Sequence, residues 1–117
     1  MKNIKFEDFE RDVMEKIFDG APEISDILKA QYACAKVVSR EFTGAGFFTN
    51  FEVTDKNLKL MDDTRYPLAC LAPNFDGLEY GAGFILFIKD GVLSFLEGYT
   101  YCGDKPWPTE ITGYTLE

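Results

Sequence analysis

The feature that most constrains the fold is the pair Asp90-Gly91, which separates two strongly apolar segments, residues 84–89 and 92–96. Both central residues of a tight two-residue turn need positive φ, and Asp-Gly tolerates it well. This pattern is therefore one of the strongest short-range signals of a β-hairpin. A two-residue loop predicts a register in which Phe84 lies opposite Glu97. The chain is expected to contain an antiparallel sheet.

The N-terminal third shows the period of amphipathic helices. Apolar residues recur at helical spacing from Phe6 to Phe18, with acidic residues early and Lys16 late, which suits the helix dipole. A second stripe of similar period runs from Ile24 to Val38 and includes Gln31. We predict two helices, over residues about 5–19 and about 23–40, joined by a Gly-Ala-Pro turn.

The remainder alternates with a period of two, which is typical of strands. The clearest case is residues 47–54, and shorter strands are predicted at residues 58–61, 68–72 and 111–116. The predicted class is α+β, with two N-terminal helices packed on one face of a mainly antiparallel sheet of about five or six strands. We predict that residues 1–117 form a single domain, whose helical part is about 5–40 and whose sheet part is about 42–116.

Two Gly-Ala-Gly segments, residues 44–46 and 81–83, each lead into a predicted strand. A phosphate-binding loop would instead open a helix, whose N-terminal amides hold the phosphate. We expect these glycines to mark flexible strand starts or bulges where another backbone packs closely.

The chain contains no histidine, which excludes the Ser-His-Asp triad, the Cys-His pair and every histidine metal site. Glu52, Asp62 and Asp63 could form a carboxylate cluster for Mg²⁺ or Ca²⁺, but their spacing matches no metal loop, and a solvated strand face and turn is the expected alternative. We expect no metal, no cofactor and no catalytic residue.

The formal net charge is −8, from 20 acidic and 12 basic residues. Such a surface repels nucleic acid and anionic lipid and favours a basic protein partner. Three widely spaced cysteines indicate neither a disulfide framework nor a zinc site. The N-terminus lacks an apolar signal segment, and no apolar run approaches the roughly 20 residues that span a bilayer. We predict a cytoplasmic protein with free thiols.

Four residues are candidates for binding. In the simple hairpin register Glu97 shares an apolar face with Tyr99 and Tyr101, where a carboxylate must be paired or mark a site. The alternative is that Glu97 reaches water at the end of the sheet or caps a tyrosine hydroxyl. Trp107 lies in a Pro-flanked loop, where it is either a rigid binding residue or a side chain that fills the core.

Several segments together resemble a known family: Arg-Glu-Phe-Thr-Gly-Ala-Gly-Phe-Phe at 40–48, Gly-Ala-Gly-Phe-Ile-Leu-Phe-Ile-Lys-Asp-Gly at 81–91, Leu-Glu-Gly-Tyr-Thr-Tyr at 96–101, and Trp107-Pro108. The chain resembles a family of small uncharacterised bacterial cytoplasmic proteins, some of which look like immunity proteins encoded beside secreted toxins. The resemblance covers about residues 40–116 and transfers no catalytic residue. It implies a small, rigid, acidic inhibitor.

These observations give two functional hypotheses. The first is a non-enzymatic protein-binding domain, in the form of an immunity-type inhibitor of a basic toxin. The alternative is a small-molecule-binding protein or a carboxylate-dependent enzyme with a pocket near Glu97, between the sheet and the helices. A homodimer that pairs sheet edges is compatible with either hypothesis.

Overall fold

A computed structural model of the chain describes residues 3–61, 68–101 and 106–117. Two α-helices come first, and strands follow. The elements are α1 (Phe6–Asp19), α2 (Ser25–Cys34), β1 (Ala35–Phe42), β2 (Gly46–Val53), a 3-10 helix (Lys56–Leu58), β3 (Leu68–Ala72), β4 (Asn74–Phe75), β5 (Ala82–Lys89), β6 (Val92–Thr100) and β7 (Tyr114–Thr115).

The strands form one five-stranded antiparallel sheet in the order β1-β2-β6-β5-β3, and β4 pairs with β7 in a small second sheet. The backbone of Glu117 exchanges two hydrogen bonds with Leu71, at 2.8 and 3.0 Å, so the C-terminal segment also runs along β3. The predicted α+β class is confirmed. In the described parts of the chain, no helix is long and apolar enough to cross a membrane.

Both helices pack on the same face of the five-stranded sheet. α1 buries a stripe at helical spacing, and α2 buries Leu28 and Gln31 beside it. The strands supply alternate side chains to this core, as a half-covered sheet requires. The fully buried large side chains are Phe9, Phe18, Phe47, Phe84, Met14, Ile17, Leu28, Leu86, Leu93, Leu96, Gln31 and Val13.

The predicted C-terminal boundary of the second helix was wrong. α2 ends at Cys34, and Ala35–Phe42 forms the edge strand β1, which pairs with β2 from Ala35↔Val53 to Phe42↔Phe47. The apolar residues after Cys34 include two valines, whose β-branched side chains favour an extended backbone. Val38, which the helical period placed in the core, lies at a register shift of β1 and is 63% exposed.

The predicted strand at residues 58–61 was also wrong. Lys56–Leu58 is a 3-10 turn, in which the Asp55 side chain accepts a hydrogen bond from the Asn57 backbone N–H at 3.0 Å. The Leu60 N–H then donates to the Gly91 carbonyl at 2.9 Å, which docks this segment on the hairpin turn. The predicted strands at 47–54 and 68–72 are confirmed, whereas only Tyr114–Thr115 of the predicted last strand is paired as a strand.

One glycine of each Gly-Ala-Gly segment lies where another backbone approaches closely, as predicted, whereas a Cβ atom at Gly44 would meet nothing within 4 Å and one at Gly83 would meet the Tyr99 side chain. A Cβ atom at Gly46 would lie 1.9 Å from the Gly98 carbonyl oxygen, and one at Gly81 would lie 2.3 Å from the Ala72 carbonyl oxygen. Gly81 also has a φ of +78°. Only glycine fits these two positions without moving the backbone.

Candidate functional site

The β5–β6 hairpin has the predicted turn but not the predicted register. Asp90 and Gly91 have φ values of 54° and 81°, as a tight turn requires. A bulge after the first two pairs then shifts the register, so that Glu97 lies opposite Ile85 and Phe84 lies opposite Gly98. The predicted pairing of Phe84 with Glu97 was wrong. A shift of one residue moves every side chain beyond it to the other face of the strand.

A buried glutamine on α2 stabilises this shifted register. Gln31 is 0% exposed, and its Oε1 accepts a hydrogen bond from the Leu93 backbone N–H at 2.9 Å, next to the bulge. Its Nε2 donates to the Leu58 and Gly91 carbonyl oxygens at 2.6 and 3.0 Å. Gln31 thus fixes the bulge, the hairpin turn and the 3-10 segment together. The sequence had suggested only that Gln31 belongs to the apolar stripe of α2.

Because of the bulge, three of the four candidate residues lie on the sheet face that is opposite the helices. Leu93, Leu96 and Gly98 of β6 are buried on the helix side, whereas Glu97 and Tyr99 point the other way. Tyr101 continues beside Tyr99, with ring centroids 5.5 Å apart. These residues therefore do not face the region between the sheet and the helices, where the sequence predicts a pocket for them.

This surface, which we call the open face, carries side chains from all five strands. It consists of Ser39, Glu41, Phe48, Asn50, Ala69, Leu71, Ile85, Phe87, Phe95, Glu97 and Tyr99. Every one of them is half-buried or exposed, and Leu71 is 44% exposed. Apolar and aromatic groups dominate its centre, which is unusual for a sheet face that neither α1 nor α2 covers.

The aromatic groups of the open face pack against one another. The Phe87 and Phe95 rings stack with centroids 4.4 Å apart, and the Phe48 ring meets Phe95 edge to face at 5.9 Å. These cross-strand contacts hold the rings in fixed positions, so the face loses little side-chain entropy on binding. The result is a rigid aromatic surface about three strands wide.

A row of residues crosses the open face with an acidic group on each side of an aromatic ring. Glu41, Phe48 and Glu97 lie directly opposite one another on β1, β2 and β6. Asn50 Nδ2 donates to Glu41 Oε2 at 3.3 Å and to Ser39 Oγ at 3.0 Å, which orients the Glu41 carboxylate. The Cα atoms of the two glutamates are about 10 Å apart, two strand spacings.

Tyr99 and Tyr101 occupy space that Gly83 leaves open. A Cβ atom at Gly83 would lie 2.4 Å from the Tyr99 hydroxyl oxygen and 2.9 Å from that of Tyr101. Burial, followed by the hydrogen bond to Tyr101 and the nearby Glu97 charge, raises the pKa of Tyr99 to about 12. The Tyr99 hydroxyl is therefore neutral near pH 7 and can donate or accept hydrogen bonds at the edge of the open face.

Trp107 lies in the core rather than at the surface. It is 7% exposed, and its ring lies 5.1 Å from the Phe47 centroid and 5.2 Å from that of Phe75. Its backbone N–H donates to the Gly44 carbonyl at 2.6 Å. Of the two predicted alternatives for Trp107, the structure shows the one in which the indole fills the core. One side of the residue lines a cavity of about 490 Å³.

Glu10 is a buried carboxylate that the sequence analysis did not single out. Its oxygens accept hydrogen bonds from Arg40 Nη2 at 3.0 Å, Arg40 Nε at 3.2 Å and Thr49 Oγ1 at 2.6 Å. Glu10 is 2% exposed and follows Phe6 by one helical turn, so its place on the apolar stripe of α1 was a signal that could have found it. The Glu10 carboxylate therefore links α1 to β1 and β2, and the hydrogen bonds described for it come from these two strands.

Two cysteines are among the remaining titratable groups in the described parts of the chain. Cys34 and Cys70 are free thiols, and burial raises the pKa of Cys70 to about 11, so it is a poor nucleophile. In the described residues, no group of three His, Cys, Asp or Glu residues is placed to hold a metal ion. Asp62, Asp63 and Cys102 lie outside the described residues, so the structure says nothing of the carboxylate cluster considered above.

We compared the chain with models of protein families, with curated proteins and with solved structures, and none of them matched.

Proposed function

We propose that this chain is a non-enzymatic protein-binding domain that holds a basic protein on its open face. The observation that carries the proposal is the rigid aromatic centre of a sheet face that lies opposite both helices. Side chains of this type are enriched in the buried centres of protein interfaces and at binding hot spots. A face of this kind gains apolar burial when a partner covers it.

The charges on the open face favour a basic partner over an acidic one. Glu41 and Glu97 flank Phe48 at one end of the face. Lys36 and Lys89 lie at the other end beside the hairpin turn, and Lys36 is directly opposite Glu52. Lys89 is followed by Asp90 in the turn, so the charges at that end balance, whereas the acidic end is unbalanced and the chain as a whole carries −8. Charge complementarity of this sort accelerates association and selects the partner.

The row of Glu41, Phe48 and Glu97 suits an arginine or lysine side chain of that partner. A guanidinium placed over the Phe48 ring gains a cation–π interaction, and each neighbouring carboxylate can accept charge-assisted hydrogen bonds from it. The Tyr99 and Tyr101 hydroxyls then lie at the edge of the same interface. An arginine at the centre of an interface is a common hot spot.

The proposal extends to an immunity-type inhibitor of a basic toxin in the cytoplasm. The resemblance of residues 40–48, 81–91 and 96–101 to immunity-like proteins supports this form, as does the acidic charge. Two free thiols among the described cysteines agree with a reducing compartment. A rigid two-layer fold with its binding groups on sheet strands suits an inhibitor, which must present a preformed surface.

The test is retention of a partner from the protein's own cell lysate at low and at high salt, with mass spectrometry of the retained proteins. We expect the wild-type chain to retain a basic protein at low salt and to release it at high salt, because salt screens exposed charges. The double variant Glu41→Gln, Glu97→Gln should lose it, and Phe48→Ala should weaken it about tenfold or more, as loss of an interface anchor does.

The matched control is Glu15→Gln combined with Asp19→Asn, which changes the net charge by the same amount on exposed positions of α1. This control should retain the partner. Equal loss in both double variants would mean that only the net charge matters, and it would overturn the assignment to the open face. A chain that retains no basic protein would overturn the proposed function. Self-association that Phe48→Ala abolishes would also overturn it, because a second copy would then cover the face.

A further inference from the structure

A concave surface lies away from the open face, at the end of the molecule where the N-terminal segment meets residues 106–111. It is a cavity of about 490 Å³, within the range of roughly 300–1,000 Å³ that is usual for small-molecule sites. The open face is the surface of a sheet and the cavity is a hollow, so the two suit different kinds of ligand. The side chains and backbone that form the cavity walls include Ile4, Phe6, Phe42, Gly44, Trp107 and Ile111.

The walls of this cavity, which we call the Trp107 cavity, are apolar and held in place. The Trp107 N–H donates to the Gly44 carbonyl at 2.6 Å, and the Ile4 N–H donates to the Ile111 carbonyl at 2.6 Å. Pro106 and Pro108 are also part of the lining and restrict the backbone on both sides of Trp107. A preformed wall of this type binds a ligand without first paying to order its own residues.

Phe42 forms an exposed part of the lining. Its side chain is 60% exposed, and its ring meets the Phe6 ring edge to face with centroids 5.6 Å apart. An aromatic ligand that enters beside it would bury part of this exposed ring and extend the same edge-to-face packing. The cavity therefore offers an aromatic ring at its surface and an apolar wall inside.

The charge of the lining selects against anions. Among the described residues that line the cavity, Glu110 is the ionisable one, and neither a lysine nor an arginine contributes. The net charge of −8 acts in the same direction. In addition, Trp107 Nε1 is a buried donor without a hydrogen-bond partner among the described residues.

We propose that the Trp107 cavity binds a small aromatic molecule that carries no negative charge. This site is separate from the open face in position and in ligand, and it does not depend on the proposed protein partner. Phe42 and Trp107 supply the aromatic contacts, Ile4 and Ile111 supply apolar wall, and Glu110 favours a neutral or cationic ligand over an anionic one.

Nuclear magnetic resonance of the ¹⁵N-labelled chain tests this directly, because its single tryptophan gives a single indole N–H signal. The probes are indole, tryptamine and indole-3-acetate, which share one ring and differ in charge. We expect indole and tryptamine to shift the Trp107 indole signal and the Gly44 and Ile111 amides. Indole-3-acetate should bind roughly fivefold more weakly than neutral indole, as one unfavourable charge contact in water requires.

Two variants and a control complete the test. Phe42→Ala removes an exposed ring and should weaken indole binding roughly fivefold, as loss of one aromatic contact does. Glu110→Lys should invert the preference between tryptamine and indole-3-acetate. Phe48→Ala, on the open face, should leave all three affinities unchanged. Absence of shifts at Trp107, Gly44 and Ile111 with millimolar indole and tryptamine would overturn the proposal, and so would unchanged indole binding in Phe42→Ala.

Discussion

Replacing Gln31 with methionine should destabilise the fold strongly, although the two side chains are similar in size. The Leu93 N–H and the Leu58 carbonyl both lose the hydrogen bond that Gln31 gives them, and both lie in or beside the core. The Gly91 carbonyl also loses its bond to Gln31 but keeps the one from the Leu60 N–H. The variant therefore leaves two backbone groups without their described side-chain partner.

The size of the effect follows from these two groups. A buried polar group that loses its partner costs about 1–3 kcal/mol, which gives about 2–6 kcal/mol for two groups. Burying the more apolar methionine side chain offsets part of this cost, so we expect a net loss of about 2–4 kcal/mol in the free energy of unfolding. A domain of this size is typically stable by about 5–15 kcal/mol, so the variant should still fold.

Urea unfolding followed by the fluorescence of the buried Trp107 measures this loss. The control is Lys29→Met, an exposed position on the same helix, which should change stability by less than about 0.5 kcal/mol. If Gln31→Met is as stable as the wild type, then Gln31 does not hold the bulge. The reasoning that assigns the stability of the bulge to Gln31 would then be refuted.

Three further predictions concern other parts of the fold. Glu10→Ala should lower the free energy of unfolding in urea by about 2–4 kcal/mol, because Arg40 and Thr49 lose a buried partner and Arg40 is only partly exposed. A loss of less than about 0.5 kcal/mol, as for an exposed substitution, would contradict this prediction. Gly46→Ala should cost more than about 2 kcal/mol, since its Cβ atom would meet the backbone of β6 at 1.9 Å, and a thermal midpoint equal to the wild type's would contradict it. Burial, followed by the Glu10 charge, raises the pKa of Tyr32 to about 12, so the folded state holds the phenol proton more tightly than the unfolded state does. The free energy of unfolding should therefore fall as the pH rises from about 10 to 12. This fall should be smaller in Tyr32→Phe.

The parts of the fold that could be predicted from the sequence are those that short segments determine. The hairpin turn depends on Asp90 and Gly91 alone, and α1 depends on a stripe within one segment. The bulge could not be predicted, because it involves Gln31, which lies about sixty residues before Leu93 in the chain. The strand β1 was missed because residues 35–40 fit a helical period as well as an extended edge strand.

The candidate site also combines features that short segments determine with features that depend on distant residues. Glu97, Tyr99 and Tyr101 were selected for their chemistry and do lie together, but the bulge decides which face of the sheet they occupy. Phe48 and Glu41 join them only through strand pairing between distant segments. Trp107 was left with two alternatives because the Pro-flanked loop does not reveal whether its ring folds back, which depends on the space beside Phe47 and Phe75.

The most direct test of the central claim is amide chemical-shift mapping of the ¹⁵N-labelled chain with the basic protein that it retains at low salt. We predict that the largest changes fall on Glu41, Phe48, Ile85 and Glu97, which lie in one row across four neighbouring strands of the open face. Residues on the outer side of α1 should remain unchanged. If the changes instead centre on α1 or on the Trp107 cavity, the open face is not the binding surface and the account is wrong.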